Sequence, residues 1–116
     1  MDYVAKTCLT VGDKLSELGP DGHLVDANEW SVAVAEEMAA RDGVELDDLR
    51  WWLIRFVRQH YIEYGTPPLF RVVIQAMRCE GVVENPSSRV LYRLFPQGPI
   101  REACRFGGLP RPESCI

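Results

Sequence analysis

Residues 47–65 read DDLRWWLIRFVRQHYIEYG, and this stretch predicts the longest helix of the chain. Its apolar side chains recur at intervals of three and four residues, which places them on one broad face of a helix. That face carries Leu49, Trp52, Leu53, Phe56, Val57, Tyr61 and Tyr64. Gly65 ends the pattern. The stretch therefore predicts a body that is mostly helical.

Helical patterns continue on both sides of this stretch. Asp26 stands three residues before Glu29, the spacing of a capping box, and predicts a helix that ends before Gly43. Thr66 followed by Pro67 predicts the start of the next helix. In total we predict five helices, over about 27–41, 47–64, 67–80, 87–95 and 100–106.

The N-terminal part of the chain is turn-rich and mildly alternating. Gly12-Asp13 and Pro20-Asp21-Gly22 are turn signals, so we predict a small β-hairpin over about 4–25. The expected fold is α+β and mostly helical, with this hairpin packed on a bundle of about five helices. Residues 1–106 form a single domain in this interpretation, and residues 107–116 form a flexible C-terminal arm.

Size and composition narrow the class of protein. A chain of 116 residues is one domain by length. It has no apolar run of the roughly 20 residues needed to span a bilayer. The N-terminus lacks the basic and apolar regions of a signal peptide. We therefore expect a cytoplasmic protein without membrane insertion, in a compartment where disulfides are mostly transient or catalytic.

The net charge of −4 conceals an asymmetry. Residues 1–49 hold 12 acids and 3 bases, whereas residues 50–116 hold 5 acids and 10 bases, all of them arginine. Arginine suits planar contacts with carboxylates and phosphates. Two interpretations stay open, namely solvated helix faces or docking of the C-terminal part on an acidic partner or anionic ligand.

The sequence offers little support for a metal site or for nucleic-acid binding. The four cysteines form no C-x-x-C pair and the two histidines are far apart, which argues against a zinc site. We expect no bound metal or cofactor. The helix pair around residues 65–67 allows a DNA-binding helix-turn-helix as an alternative. The acidic net charge and the apolar second helix argue against nucleic acid as the partner.

The last stretch, residues 104–116, reads CRFGGLPRPESCI. Cys115 is the penultimate residue and is hard to bury, so a structural role is not expected for it. Gly107-Gly108 provides a hinge, and Pro110 and Pro112 limit the disorder of the arm. A redox-active or sulfur-carrying arm is one interpretation, and a frayed tail with an incidental thiol is the other.

Four stretches together resemble the DsrC/TusE family of sulfur-relay proteins, also described as the gamma subunit of dissimilatory sulfite reductase. They are DANEW (26–30), IRFVRQHYIEYGTPPLFRVV (54–73), LYRLFPQGP (91–99) and ACRFGGLPRPESCI (103–116). The resemblance covers nearly the whole chain. It implies a compact helical body, a small hairpin and a C-terminal arm.

The resemblance also implies a function and a site. Cys115 would carry sulfane sulfur as a persulfide, and Cys104 would be the resolving thiol that forms a reversible disulfide, as in the DsrC branch. The implied partners are a siroheme sulfite reductase or related enzyme, a DsrEFH- or TusBCD-like sulfur donor and a membrane thiol–disulfide reductase complex. The protein would be a co-substrate of these partners, and its own status as an enzyme stays open. The alternative within the family is a TusE-like relay for tRNA 2-thiouridine synthesis.

Charged neighbours suggest how the thiols would be activated. Arg105 lies next to Cys104 and is expected to favour a pKa near ambient pH, which suits an attacking thiol. Arg105 and Arg111 would offset the negative charge around Cys115 when the arm folds back about Gly107 and Gly108.

Overall fold

The computed structural model describes residues 8–112. Within them, strands β1 (Cys8–Val11) and β2 (Lys14–Glu17) are followed by a short 3-10 helix, Ala27–Glu29, and five α-helices. The helices are α1 (Val32–Asp42), α2 (Asp48–Tyr64), α3 (Phe70–Glu80), α4 (Ser88–Leu94) and α5 (Pro99–Phe106). The predicted fold class is confirmed.

The hairpin is antiparallel and turns at Gly12, which has a φ of 61°. Its register pairs Cys8 with Glu17 and Val11 with Lys14. An isolated bridge between Leu18 and Leu24 extends the ribbon toward α1. The predicted residues 4–7 of the hairpin lie outside the described residues.

The first α-helix begins later than the sequence predicts. Asp26 does cap a helix, because its carboxylate accepts a hydrogen bond from the Asn28 amide, but that helix is the 3-10 turn and ends at Glu29. Trp30 is extended, with ψ at 143°. Ser31 then caps α1 through a bond from the Val34 amide. The predicted continuous helix over 27–41 is therefore wrong, since Trp30 turns away from the helix axis to contact another part of the chain.

Helix α3 also begins later, at Phe70, and the predicted start at Thr66-Pro67 is wrong. Pro68 follows Pro67, and the ring of a proline disfavours the helical region for the residue before it. Leu69 is still extended, with ψ at 158°. The connection between α2 and α3 is therefore an extended segment, which helps to form the groove described below.

The core lies where α2, α5, α1 and the hairpin meet, and α3 and α4 add fully buried residues such as Val73 and Leu91. In α2, Leu53 and Val57 are fully buried as predicted, and Ile54 joins them. Tyr64, which the periodicity assigned to the same face, is 66% exposed. No helix within residues 8–112 is long and apolar enough to cross a membrane.

Candidate functional site

Helix α5 carries Cys104. Gly98, with a φ of 135°, admits the turn into the helix, and Pro99 occupies its first turn, where no backbone N–H is needed. The helix is short but strongly two-sided, and it buries Ile100, Ala103 and Cys104 against the core. Cys104 has no exposed surface.

Burial sets the acidity of this thiol. A buried thiolate loses its hydration, so burial favours the protonated thiol. The pKa of Cys104 therefore rises from 9.0 to about 12. Cys104 is therefore protonated at neutral pH in this conformation. The expectation that Arg105 brings its pKa near ambient pH is wrong for this conformation.

The Arg105 guanidinium is engaged elsewhere. It donates hydrogen bonds to Asp42 and to Glu102, the latter at 2.7 Å. Burial alone would lower the pKa of Arg105, but the bonds and charges of the two carboxylates outweigh it and the pKa is raised. Arg105 thus ties α5 to the end of α1, and this is the role that the structure supports for it.

Gly107 and Gly108 end α5 in a Schellman motif. The Gly108 amide donates to the Arg105 carbonyl at 3.2 Å, and the Leu109 amide donates to the Cys104 carbonyl at 2.9 Å. Gly108 has a φ of 72°, which a residue with a side chain adopts only at a cost. The motif turns the chain back, so that Leu109 lies beside Cys104 and is only 4% exposed.

Three side chains hold the segment that follows α5, and we call Trp30, Arg58 and His23 the arm anchor. The Trp30 indole Nε1 donates to the Phe106 carbonyl at 2.7 Å. Arg58 Nη1 donates to the Gly107 carbonyl at 2.5 Å. His23 Nδ1 lies 2.9 Å from the Leu109 carbonyl, which can only accept, so this nitrogen carries the proton.

Two of the three anchor side chains also contact each other. The Arg58 guanidinium lies over the Trp30 ring, 3.9 Å from its centroid, a cation–π arrangement. Burial lowers the pKa of Arg58 from its usual value. His23 is 5% exposed. These contacts combine a donor from the loop after the hairpin, one from the turn before α1 and one from α2.

Both glycines are closely covered by the anchor. A Cβ on Gly107 would lie 2.9 Å from the Ala103 carbonyl oxygen and from Arg58 Cγ. A Cβ on Gly108 would lie 2.5 Å from Trp30 Cδ1. In this conformation the predicted hinge residues are therefore buried and held, and only glycine fits at either position.

Beyond Leu109 two residues reach the surface and Pro112 is buried again. Pro110 and Arg111 are exposed, and Arg111 lies 4.0 Å from Asp21. Residues 110–112 form one wall of an open groove of about 590 Å³, whose other wall is Tyr61, the extended segment Gly65–Leu69, Phe70 and Ile100. Cys115, the predicted persulfide carrier, lies outside the described residues.

The remaining thiols lie elsewhere. Cys8 is half-buried in β1 and Cys79 is exposed near the end of α3. Within residues 8–112, no group of three or more His, Cys, Asp or Glu side chains could hold a metal ion. Sequence reasoning had singled out none of the three anchor residues for a role, and Trp30 entered only as part of the DANEW stretch.

Comparison with known proteins decides the family. The model of the family described as DsrC like protein matches residues 10–116. The chain belongs to the DsrC-like family. The Salmonella paratyphi A protein named Sulfurtransferase TusE is 43% identical over 96 residues, which cover 83% of this chain and 88% of that protein. Its Escherichia coli K12 counterpart is 39% identical over 100 residues, covering 86% and 92%.

Solved structures agree with this assignment. The oxidized gamma-subunit of the dissimilatory sulfite reductase (DsrC) from Archaeoglobus fulgidus superimposes with a TM-score of 0.83 and 37% identity, covering 94% of this chain and 99% of that one. DsrC of Allochromatium vinosum gives 0.79 at 37% identity, covering 94% and 97%. The chain is therefore a sulfur-relay protein of the DsrC/TusE type. None of these matches supports the DNA-binding alternative.

Proposed function

We propose that the protein carries sulfane sulfur as a persulfide on Cys115 and delivers it between partner proteins, with Cys104 as the resolving thiol. Family membership supports the sulfur chemistry. One structural observation supports the pairing of Cys104 with Cys115. In the turn after α5, the Leu109 amide donates a hydrogen bond to the Cys104 carbonyl at 2.9 Å. The chain that leads to Cys115 therefore starts beside Cys104.

The resolving step balances without a further oxidant. Cys104 loses its proton to a base, and its thiolate attacks the sulfur of Cys115 that is bonded to carbon. The sulfur–sulfur bond of the persulfide breaks, and hydrosulfide leaves with both electrons of that bond. The carried sulfur is reduced by two electrons, and the two cysteine sulfurs become a disulfide. A dithiol of a partner reductase complex then returns two electrons to the disulfide.

The burial of Cys104 imposes an order on these events. A thiol with a pKa of about 12 and no exposed surface is a poor nucleophile at neutral pH. The end of α5 must therefore open locally before Cys104 reacts. This burial keeps Cys104 unreactive while sulfur is carried, and it makes resolution dependent on a change at the end of α5 or on contact with a partner.

The relatives support the choice of partners. We propose a siroheme sulfite reductase or a related sulfur enzyme as one partner, since DsrC of Archaeoglobus fulgidus is named as a gamma-subunit of that reductase. A DsrEFH- or TusBCD-like protein would donate the sulfur, and a membrane thiol–disulfide reductase complex would regenerate the thiols. We place the protein in the cytoplasm, where these exchanges between reduced thiols proceed.

A relay for tRNA 2-thiouridine synthesis is the second candidate. It is supported by the 43% identity, over 83% of this chain, to the Salmonella paratyphi A protein named Sulfurtransferase TusE. Purification of the tagged protein from its own cells separates the two functions. Sulfite reductase subunits in the eluate support the first, and the proteins of tRNA thiolation support the second.

Intact and peptide mass spectrometry test the sulfur chemistry. After incubation with polysulfide, a mass gain of about 32 Da, one sulfur atom, is expected on Cys115. A Cys104→Ser variant should keep this adduct and lose the intramolecular disulfide, whereas Cys79→Ser, at an exposed thiol, serves as the matched control. Adducts on Cys8 or Cys79 with none on Cys115 would refute the proposal.

A further inference from the structure

The turn that follows α5 covers the thiol of that helix. In a Schellman motif the residue two positions after the helix cap packs against the residue three positions before it, and here these residues are Leu109 and Cys104. Both are buried, since Cys104 has no exposed surface and Leu109 is 4% exposed. A reagent or a partner thiol therefore reaches Cys104 only after this cover moves or the domain unfolds.

The arm anchor is bonded to the backbone of the same turn. Its three donors take the carbonyl oxygens of Phe106, Gly107 and Leu109. The Schellman bonds use two other carbonyls, those of Cys104 and Arg105, and would end the helix without any side chain. The anchor therefore adds a second set of bonds, which depends on the path of the turn and holds that path closed.

We propose that the arm anchor is an autoinhibitory contact, which keeps Leu109 closed over Cys104 so that the thiol becomes accessible only when the anchor bonds are released. The release is a local opening of residues 107–109 and does not require the domain to unfold. This inference rests on the proposed function in one respect, because it takes Cys104 as the resolving thiol.

The donors of the anchor belong to the body of the domain. Trp30 stands between two capped helices, and Arg58 lies within α2. The His23 carbonyl accepts a hydrogen bond from the Gly19 amide at 2.8 Å. Each donor is thus held by its own element when the turn leaves it, so the opening separates a short segment from a body that stays folded.

The two glycines suit a turn that closes tightly and opens freely. In the closed state a Cβ on Gly107 would lie 2.9 Å from Arg58 Cγ, and a Cβ on Gly108 would lie 2.5 Å from Trp30 Cδ1. Glycine also has the widest choice of backbone conformations once its bonds are broken. Conformational entropy therefore favours the open turn, and the anchor bonds with the burial of Leu109 oppose it.

Thiol access measured at Cys104 alone tests the proposal. The background is the full chain with Cys8→Ser, Cys79→Ser and Cys115→Ser, in which Cys104 is the one remaining thiol. Its reaction with dithiobis(nitrobenzoate) at pH 8 is followed by absorbance. The ratio of the rates in native and urea-unfolded protein gives the fraction of molecules in which Cys104 is open. Urea unfolding of the same proteins gives the global unfolding constant.

Weakening the anchor should accelerate this reaction. Arg58→Met removes a charged donor and should raise the rate at Cys104 at least about tenfold. Trp30→Phe removes the indole N–H and should raise the rate roughly fivefold. In both variants the rise should exceed the rise in the global unfolding constant, as expected for a local opening.

Val73→Ala is the matched control, because Val73 is fully buried in α3 and is not part of the anchor. It should raise the rate at Cys104 by no more than it raises the global unfolding constant. An unchanged rate in both anchor variants, or a rise only in step with global unfolding, overturns the proposal, and the second result is the one expected for a merely structural anchor. Trp30→Phe decides alone if Arg58→Met does not fold.

The measurement is separate from the test of the proposed function. Absence of a persulfide on Cys115 refutes the proposed function and leaves this result unaffected, because Cys115 is replaced in the background used here. Conversely, an anchor that does not control access to Cys104 leaves the persulfide on Cys115 to be judged by its own mass gain.

Discussion

Replacing Gly108 by alanine tests how the Gly107-Gly108 turn packs against Trp30. The new Cβ would lie 2.5 Å from Trp30 Cδ1 and 2.6 Å from Trp30 Cβ and Cγ. Real side chains do not approach so closely, so either the indole or the backbone must move. Gly108 also has a φ of 72°, which disfavours alanine whatever the space.

The expected cost is the sum of three contributions. The left-handed backbone costs about 1–2 kcal/mol for a residue with a side chain. Overpacking against a buried ring costs about 1–3 kcal/mol. Displacement of the indole weakens the bond from Trp30 to the Phe106 carbonyl, worth roughly 1 kcal/mol. Gly108→Ala should therefore lower the free energy of unfolding by about 3–6 kcal/mol, a large share of the stability of a small domain.

Gly65→Ala is the matched control, because Gly65 has a φ of 74° and a Cβ added there would meet nothing within 4 Å. It should lose only the backbone contribution, about 1–2 kcal/mol. Urea unfolding followed by far-ultraviolet circular dichroism measures both values. Equal losses within about 0.5 kcal/mol, the usual limit of additivity, would refute the packing argument. In a Trp30→Ala background, the extra loss of Gly108→Ala should disappear.

Three further predictions concern the thiol and the arginine of α5. At pH 8, iodoacetamide should modify the exposed Cys79 and leave Cys104 unmodified in the folded protein, as peptide mass spectrometry would show. Because folding raises the pKa of Cys104 from 9.0 to about 12, its contribution to stability is complete below pH 9 and is lost as the pH rises from about 9 to about 12. Unfolding midpoints at pH 8 and 10.5 should show this loss, and Cys104→Ala should lack that part of it. Arg105→Met removes the bonds to Asp42 and Glu102 and should lower the free energy of unfolding by about 1–2 kcal/mol. The loss should be smaller at high salt. An unchanged urea midpoint would show that these ion pairs do not stabilise the fold.

Local signals predicted most of the secondary structure. The apolar face of residues 47–65 and the final Gly65 located α2, and α5 lies at Pro99–Phe106, close to the predicted range 100–106. These predictions were correct because helix caps and apolar periodicity act within a few residues. The sequence also contained the signal for the late start of α3, since Pro68 disfavours a helical conformation at Pro67. The break at Trp30 had only part of its signal nearby, in the Ser31 cap of α1, because the bond of the Trp30 indole to the Phe106 carbonyl joins residues 76 positions apart.

The sequence by itself determined that the chain is a mostly helical DsrC-like protein with cysteines at both ends of a glycine- and proline-containing tail. Only the tertiary structure decided what surrounds that tail. Arg58 bonds to Gly107 and His23 bonds to Leu109, across 49 and 86 residues of sequence. No sequence pattern indicates that these residues meet. The same packing buries Cys104 and raises its pKa, an effect of lost hydration that its neighbour Arg105 does not reverse. The sequence places Cys104 in the chain, and long-range burial keeps it protonated at neutral pH in this conformation.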